Sequence, residues 1–210
     1  HGHVLAPDLP GFGRTPPAGR SAAVGDQANL LAELIESKTD EPAIVIGNSM
    51  GGIISMILAA RHPHLVDRLV LVDPAAPTWT PDTINPVWAT MLGVYLVPGF
   101  SSAVLKAIQR RGTAERRTAE SMDMIAADGS RLSDSMKGLH ADVAREREPM
   151  PWIYDSYLTA YRSVMRQMFP PSKYDRLVHR IMAPTLLMHG MVDPIVPFKA
   201  ATRLADQRPD

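Results

Sequence analysis

The stretch Ala43-Ile44-Val45-Ile46-Gly47-Asn48-Ser49-Met50-Gly51-Gly52, continued by small and apolar residues to Arg61, constrains this chain more than any other feature. A short apolar run ending in glycine reads as a buried strand. Met50 to Arg61 reads as a helix able to lie close on a sheet, and Pro63 forbids its extension. Between them, the order G-x-S-x-G asks for a turn so sharp that the serine at its apex must leave the ordinary backbone regions, at roughly 1–3 kcal/mol. Neighbours without side chains let strand and helix close around it. Such a turn exposes an Oγ at the strand's carboxyl end, beside a helix start whose free N–H groups favour developing negative charge. Ser49 is then a candidate nucleophile and the Met50 N–H a candidate oxyanion donor. The plainer alternative is a small-residue turn in which Ser49 merely caps the helix.

Three more apolar runs read as strands: His3-Val4-Leu5-Ala6, Leu69-Val70-Leu71-Val72 and Thr185-Leu186-Leu187-Met188. Each is closed by turn chemistry, at Pro7-Asp8-Leu9-Pro10-Gly11, Asp73-Pro74 and His189-Gly190 respectively. Continuous rather than alternating apolar residues suit parallel strands covered on both faces. Val24, Ala28, Leu31 and Ile35 recur at helical spacing, so strands and helices alternate. The expected class is α/β, a mainly parallel sheet with flanking helices and right-handed crossovers.

Residues 78–175 break that rhythm. They read as helical and proline-punctuated, with no strand pattern, and are too long for a loop. The expected organisation is a core of residues 1–77 and 176–210 interrupted by a helical cap at 78–175. Ten of the chain's twelve aromatic residues fall in that insertion. From Ile84 to Leu105 no residue is charged, and Pro98-Gly99 divides the stretch. A short apolar cap helix fits better than a membrane span, with a membrane-dipping lid as the alternative. Tyr154, Tyr157 and Tyr161 share one helical face, which packs the cap's own interior or lines a pocket. Trp88, Met91, Tyr95, Trp152 and Tyr157 are the candidate pocket residues for an apolar acyl or aromatic group. Arg110, Arg111, Arg116 and Arg117 read as a solvated face.

Composition removes other chemistries. Lys plus Arg equals Asp plus Glu at 22 each, so the broad cationic field of a nucleic-acid binder is missing. No cysteine is present, which excludes disulfides, a thiol nucleophile and Cys-based zinc sites. The phosphate loop G-x-x-x-x-G-K-[ST] and the dinucleotide fingerprint G-x-G-x-x-G do not occur. H-E-x-x-H is absent and His62-Pro63-His64 has no third ligand beside it in sequence, so no cofactor or metal is expected. With neither cysteine nor a secretory leader, the cytoplasm is the expected compartment. Oligomeric state is left open.

Asp8-Leu9-Pro10-Gly11-Phe12-Gly13-Arg14-Thr15, Gly47-Asn48-Ser49-Met50-Gly51-Gly52 and Pro184-Thr185-Leu186-Leu187-Met188-His189-Gly190-Met191-Val192-Asp193-Pro194-Ile195-Val196-Pro197 occur in that order. Together they resemble the α/β-hydrolase family over nearly the whole chain outside the insertion. The resemblance implies Ser49 as nucleophile, Asp193 as the acid that orients a catalytic histidine, and the Met50 N–H as oxyanion donor. It also implies that residues 8–15 form a structural loop and that the insertion is a cap over the nucleophile. The reaction expected is cleavage of a carboxylic ester with an apolar acyl or aromatic group through an acyl-enzyme. The Gly-Asn-Ser-Met-Gly-Gly elbow also resembles hydrolases that cleave carbon–carbon bonds in ring-fission products.

A serine hydroxyl needs a base, and in this family a histidine follows the acid by a few tens of residues. No histidine follows Asp193 here. His189, near the acid, is out of order for a triad and reads as a turn residue. The family's three earlier strands also have no counterpart. These 210 residues therefore read as part of a longer hydrolase and are expected to be inactive alone. A non-catalytic binding protein that has lost its histidine is the reading from another class.

Overall fold

The computed structural model describes residues 3–77, 100–109 and 112–208. Its centre is a parallel sheet of three strands in the order β1-β2-β3: Ala43–Asn48, Val66–Val72 and Thr185–Met188. Val45, Leu69 and Thr185 form one row across the sheet, and Asn48, Val72 and Met188 form the last row. The main helices of the first part are α1, Val24–Glu36, and α2, Met50–Arg61. After β2 the described residues are helical up to β3: α3 (Phe100–Gln109), α4 (Ala114–Ile125), α5 (Asp134–Arg147), α6 (Ile153–Met168) and α7 (Pro171–Val178). Helix α8, Phe198–Gln207, follows β3.

α2 is apolar almost all round because it is enclosed. Ile53, Ile54, Met56 and Leu58 are each at most 1% exposed. They pack with Leu69 and Leu71 of β2, Ala28 and Ala32 of α1, and with Val164, Met168, Tyr174 and Val178 of α6 and α7. The second half of α6 and the inner face of α7, with Tyr174, Leu177 and Val178, thus belong to the main hydrophobic core. The Tyr174 hydroxyl, inside that core, lies 3.7 Å from the Met56 sulfur. Helices α4 and α5 pack on each other, and Arg145 bridges them by pairing with Glu115. Arg116 pairs with Glu120 and is 74% exposed at its side chain, on a solvated face, whereas Arg117 pairs with Glu148 and is only 20% exposed; Arg110 and Arg111 lie outside the described residues.

Two expectations are corrected. His3-Val4-Leu5-Ala6 is not a strand: among the described residues β1 pairs only with β2 and this segment has no ladder, and Val4 is 87% exposed. An extended run becomes a strand only where a neighbour takes up its N–H and C=O groups. Nor do the described residues cover both faces of the sheet. Val45, Leu69, Leu71 and Leu187 pack into the core, whereas Ile44, Ile46, Leu186 and Met188 on the opposite face are more than half exposed. Among the described residues no helix is long and apolar enough to cross a membrane.

Candidate active site

Strand register assembles the site. Asn48, Val72 and Met188 are aligned neighbours, so the residues that follow them, Ser49, Asp73 and His189, stand side by side along the sheet's carboxyl edge. With strands about 4.8 Å apart, Ser49 and His189 are about 10 Å apart at the backbone.

Ser49 occupies the turn between β1 and α2 with φ 51° and ψ −115°, a left-handed conformation that a side chain resists. The turn is held from outside. The Ser49 N–H donates to the Val72 carbonyl at 3.0 Å, and the Ser49 carbonyl accepts from the Ala75 N–H at 3.1 Å and the Gly52 N–H at 3.0 Å. Two glycines make this approach sterically feasible. A Cβ at Gly47 would stand 2.4 Å from the Gly51 carbonyl oxygen, and one at Gly52 would stand 2.8 Å from Pro74 Cβ. Gly51 differs, because a Cβ there would meet open space. The Ser49 side chain does not cap α2. Half-buried and without a hydrogen-bonding role in the turn, the hydroxyl gives no support to the capping alternative. Met50 is the first residue of α2, so its N–H has no intrahelical acceptor.

Asp193 lies in the turn after β3. Its Oδ1 accepts the N–H groups of Ile195 at 2.7 Å and Val196 at 2.9 Å. Oδ2 is 3.9 Å from Nε2 of His189, whose side chain is only 2% exposed. His189 Nε2 is 2.8 Å from the Val196 carbonyl oxygen. This histidine pins the turn, as its reading as a turn residue implies, and is committed to that carbonyl. Asp73, at φ 44°, accepts the Gly190 N–H on Oδ1 at 2.7 Å, and that oxygen lies 3.7 Å from His189 Nδ1. Sequence reasoning assigned neither Asp73 nor His189 to a site and expected no metal-ligating set, yet the fold brings Asp73, His189 and Asp193 together. Only the hint of Asp-Pro and His-Gly at successive strand ends was available.

His62 and His179 close α2 and α7, His140 is 2.9 Å from the Met136 carbonyl on α5, and His64 is 3.9 Å from Glu36.

Residues 8–15 close on themselves. Asp8 accepts the Arg14 N–H, Gly11 N–H donates to the Thr15 carbonyl, and Arg14 reaches Glu146 of α5 through two nitrogens. Gly11, at φ 86°, lies so close to α6 that a Cβ would stand 2.3 Å from Ser156 Oγ.

Of the candidate pocket residues, Trp88, Met91 and Tyr95 lie outside the described residues. Trp152 is the residue before α6, and Tyr157 is 38% exposed, stacked on Tyr161 at 6.5 Å between ring centres. A depression of about 360 Å³ along α1 is lined by Arg20, Ser21, Asp26, Gln27, Asn29, Leu30 and Glu33, none of them at the strand tips.

A family model described as the alpha/beta hydrolase fold matches residues 1–210. The chain belongs to the α/β-hydrolase family. Proteins similar to this chain include the pimeloyl-[acyl-carrier protein] methyl ester esterase of Aromatoleum aromaticum, 29% identical over 99% of the chain and 75% of the relative. Another is the 2-hydroxy-6-oxo-2,4-heptadienoate hydrolase of Pseudomonas putida, 26% identical over 97% of the chain and 66% of the relative. Among solved structures, the 2-hydroxy-6-oxo-6-phenylhexa-2,4-dienoate hydrolase of Rhodococcus sp. strain RHA1 superimposes with a TM-score of 0.69 at 22% identity. That match covers 96% of this chain and 66% of the other. The chain thus spans about two thirds of the length of the latter two proteins.

Proposed function

We propose that this hydrolase cleaves a carboxylic ester with an apolar acyl or aromatic group by way of an acyl-enzyme on Ser49. The observation that carries the reading is the left-handed backbone of Ser49, maintained by hydrogen bonds from β2 and the following loop while its side chain makes no helix cap. Strain persists where surrounding structure over-determines it, and a hydroxyl lifted from a strand tip is what such strain accomplishes.

In this mechanism Ser49 Oγ attacks the ester carbonyl carbon as a base takes its proton. The Met50 N–H donates to the oxyanion of the tetrahedral intermediate. Collapse expels the alcohol with that proton, and water then releases the acid and restores Ser49. Asp193 is the acid that orients the base. The insertion at 78–175 acts as a cap, with Trp88, Met91, Tyr95, Trp152 and Tyr157 offering apolar and aromatic surface to the acyl group. No described histidine is committed to Ser49, and removal of the base from a serine hydrolase lowers kcat by about 10⁶. These 210 residues by themselves are therefore expected to turn over esters no faster than their Ser49→Ala variant.

Two relatives cleave substrates of different kinds, to judge by their names: a methyl ester and a heptadienoate. The second reading is therefore hydrolysis of a carbon–carbon bond in a ring-fission product, favoured by that relative. The test is labelling of the whole protein by a fluorophosphonate, followed by turnover of p-nitrophenyl butyrate and of a dienoate ring-fission product. Labelling lost in Ser49→Ala, with ester turnover, supports the first reading. Dienoate turnover alone supports the second. Absence of labelling in the folded whole protein refutes both and favours a binding protein.

A further inference from the structure

The turn that carries Asp193 is gripped at both ends. At its start the Gly190 N–H donates to Asp73 Oδ1 at 2.7 Å, which ties the turn to the tip of β2. At its end Val196, 3% exposed, is held through both of its backbone polar groups. Its N–H donates to Asp193 Oδ1 at 2.9 Å, and its carbonyl oxygen is 2.8 Å from His189 Nε2. That oxygen can only accept, so Nε2 carries the proton and the imidazole donates. Nδ1 is buried without a hydrogen-bond partner, so among the described residues the ring's one hydrogen bond is the one to Val196.

Little else is open to this imidazole. Its side chain is 2% exposed, and Phe198 of α8 packs against it edge to face at 6.1 Å between ring centres. The whole of β2 stands between it and Ser49. What the ring can do is fix Val196, and Val196 in turn fixes the Asp193 carboxylate. Oδ1 of that carboxylate takes two N–H groups, from Ile195 at 2.7 Å and from Val196. Two bonds to one oxygen restrain the rotation of the group and leave Oδ2 to accept from a base. The imidazole does not consume it, because Nε2 is 3.9 Å from Oδ2, beyond hydrogen-bonding range.

We infer that His189 is a positioning residue for Asp193: by donating to the Val196 carbonyl it keeps the Val196 N–H on Oδ1 and holds Oδ2 where a base can meet it. The inference rests on the reading of Ser49 as nucleophile and Asp193 as acid. Without the imidazole N–H, the buried Val196 carbonyl has no donor. The turn then shifts to find one, and the acid loses one of the two bonds that orient it. A displacement of about 1 Å in a group that serves the reaction lowers its rate by about 10²-fold.

The test is the rate at which a fluorophosphonate labels the whole protein in His189→Leu, His189→Gln, Asp193→Asn and the double variant of His189→Leu with Asp193→Asn. Leucine is close to imidazole in volume but has no donor, whereas the glutamine amide can still donate to Val196. His189→Leu should label about ten- to a hundredfold more slowly than the parent, and His189→Gln within about threefold of it. Asp193→Asn alone should be slower by about 10⁴-fold. Adding His189→Leu to it should change the rate by less than about twofold, because residues that act through one another are not additive. Circular dichroism establishes that each variant is folded, and the smaller His189→Ala replaces a His189→Leu that is not. Parental labelling in the folded donor-less variant, an equally slow His189→Gln, or the same slowing with and without the Asp193 carboxylate overturns the inference. Labelling of Ser49→Ala, or parental labelling in Asp193→Asn, refutes the site assignment itself and the inference with it, an outcome seen without any change at residue 189.

Discussion

The Gly190 N–H donates to Asp73 Oδ1 at 2.7 Å, joining the tips of β2 and β3 across 117 positions of sequence. Charge-assisted bonds of this kind are worth about 1.5–3 kcal/mol, and the left-handed backbone of Asp73 favours a residue that tolerates φ 44°. Asp73→Ala should lower unfolding free energy by about 1–3 kcal/mol, whereas Asp73→Asn, which keeps an acceptor oxygen and tolerates the backbone, should lose less than half of that. Urea denaturation of the two variants beside the parent checks the difference.

At the elbow, glycine and alanine should separate cleanly. Ser49→Ala leaves a Cβ at φ 51° and Ser49→Gly removes it. The glycine variant should be more stable than the alanine variant by about 1 kcal/mol, despite glycine's greater freedom in the unfolded chain. Neither should react with a fluorophosphonate. Paired urea midpoints and a labelling gel read the two effects separately.

Gly47→Ala and Gly51→Ala are a second informative pair. The first places a methyl 2.4 Å from a backbone oxygen, so strand and helix must part; a loss of about 2–4 kcal/mol is expected. The second puts a methyl into open space within the first turn of α2, where alanine is the better helix former, so stability should rise by about 0.5 kcal/mol. Equal losses in thermal unfolding would show that the turn is not closed in this way.

Burial pushes the Tyr174 hydroxyl well above its ordinary range. Below about pH 10 both folded and unfolded chains keep this proton, and the group makes no pH-dependent difference. Above that, the unfolded chain releases it while the folded chain retains it, so stability falls by up to about 1.4 kcal/mol per pH unit from this group alone. Tyr174→Phe removes that contribution and gives up only a weak contact with the Met56 sulfur. Denaturant unfolding between pH 9 and 11 should be less steeply pH-dependent in the variant than in the parent.

Local chemistry was legible where neighbours in sequence are neighbours in space. The expected helices over Val24–Ile35 and Met50–Arg61 are α1 and α2, and three of the four apolar runs are strands. Ser49 was legible because a strand, a glycine-flanked serine and a small apolar helix occupy one uninterrupted stretch. The fourth run, His3-Val4-Leu5-Ala6, failed because a strand is defined by its partner, and apolarity carries no information about whether a partner exists. The two faces of the sheet failed for a related reason. Ile44 and Val45 are equally apolar, yet one is exposed and the other packs on the core.

What the amino-acid order alone determined is the α/β class, the family and the serine at the apex of its turn, since each rests on side chains and backbone preferences within a few residues. Tertiary structure decided the rest of the candidate site. Register across three parallel strands set Ser49, Asp73 and His189 in a row, and the turn after β3 folded Asp193 back toward the imidazole. Proximity between residues more than a hundred positions apart comes from which strands share a sheet and where each one ends. That is a property of the ladder of backbone hydrogen bonds, and no residue along the chain carries it by itself.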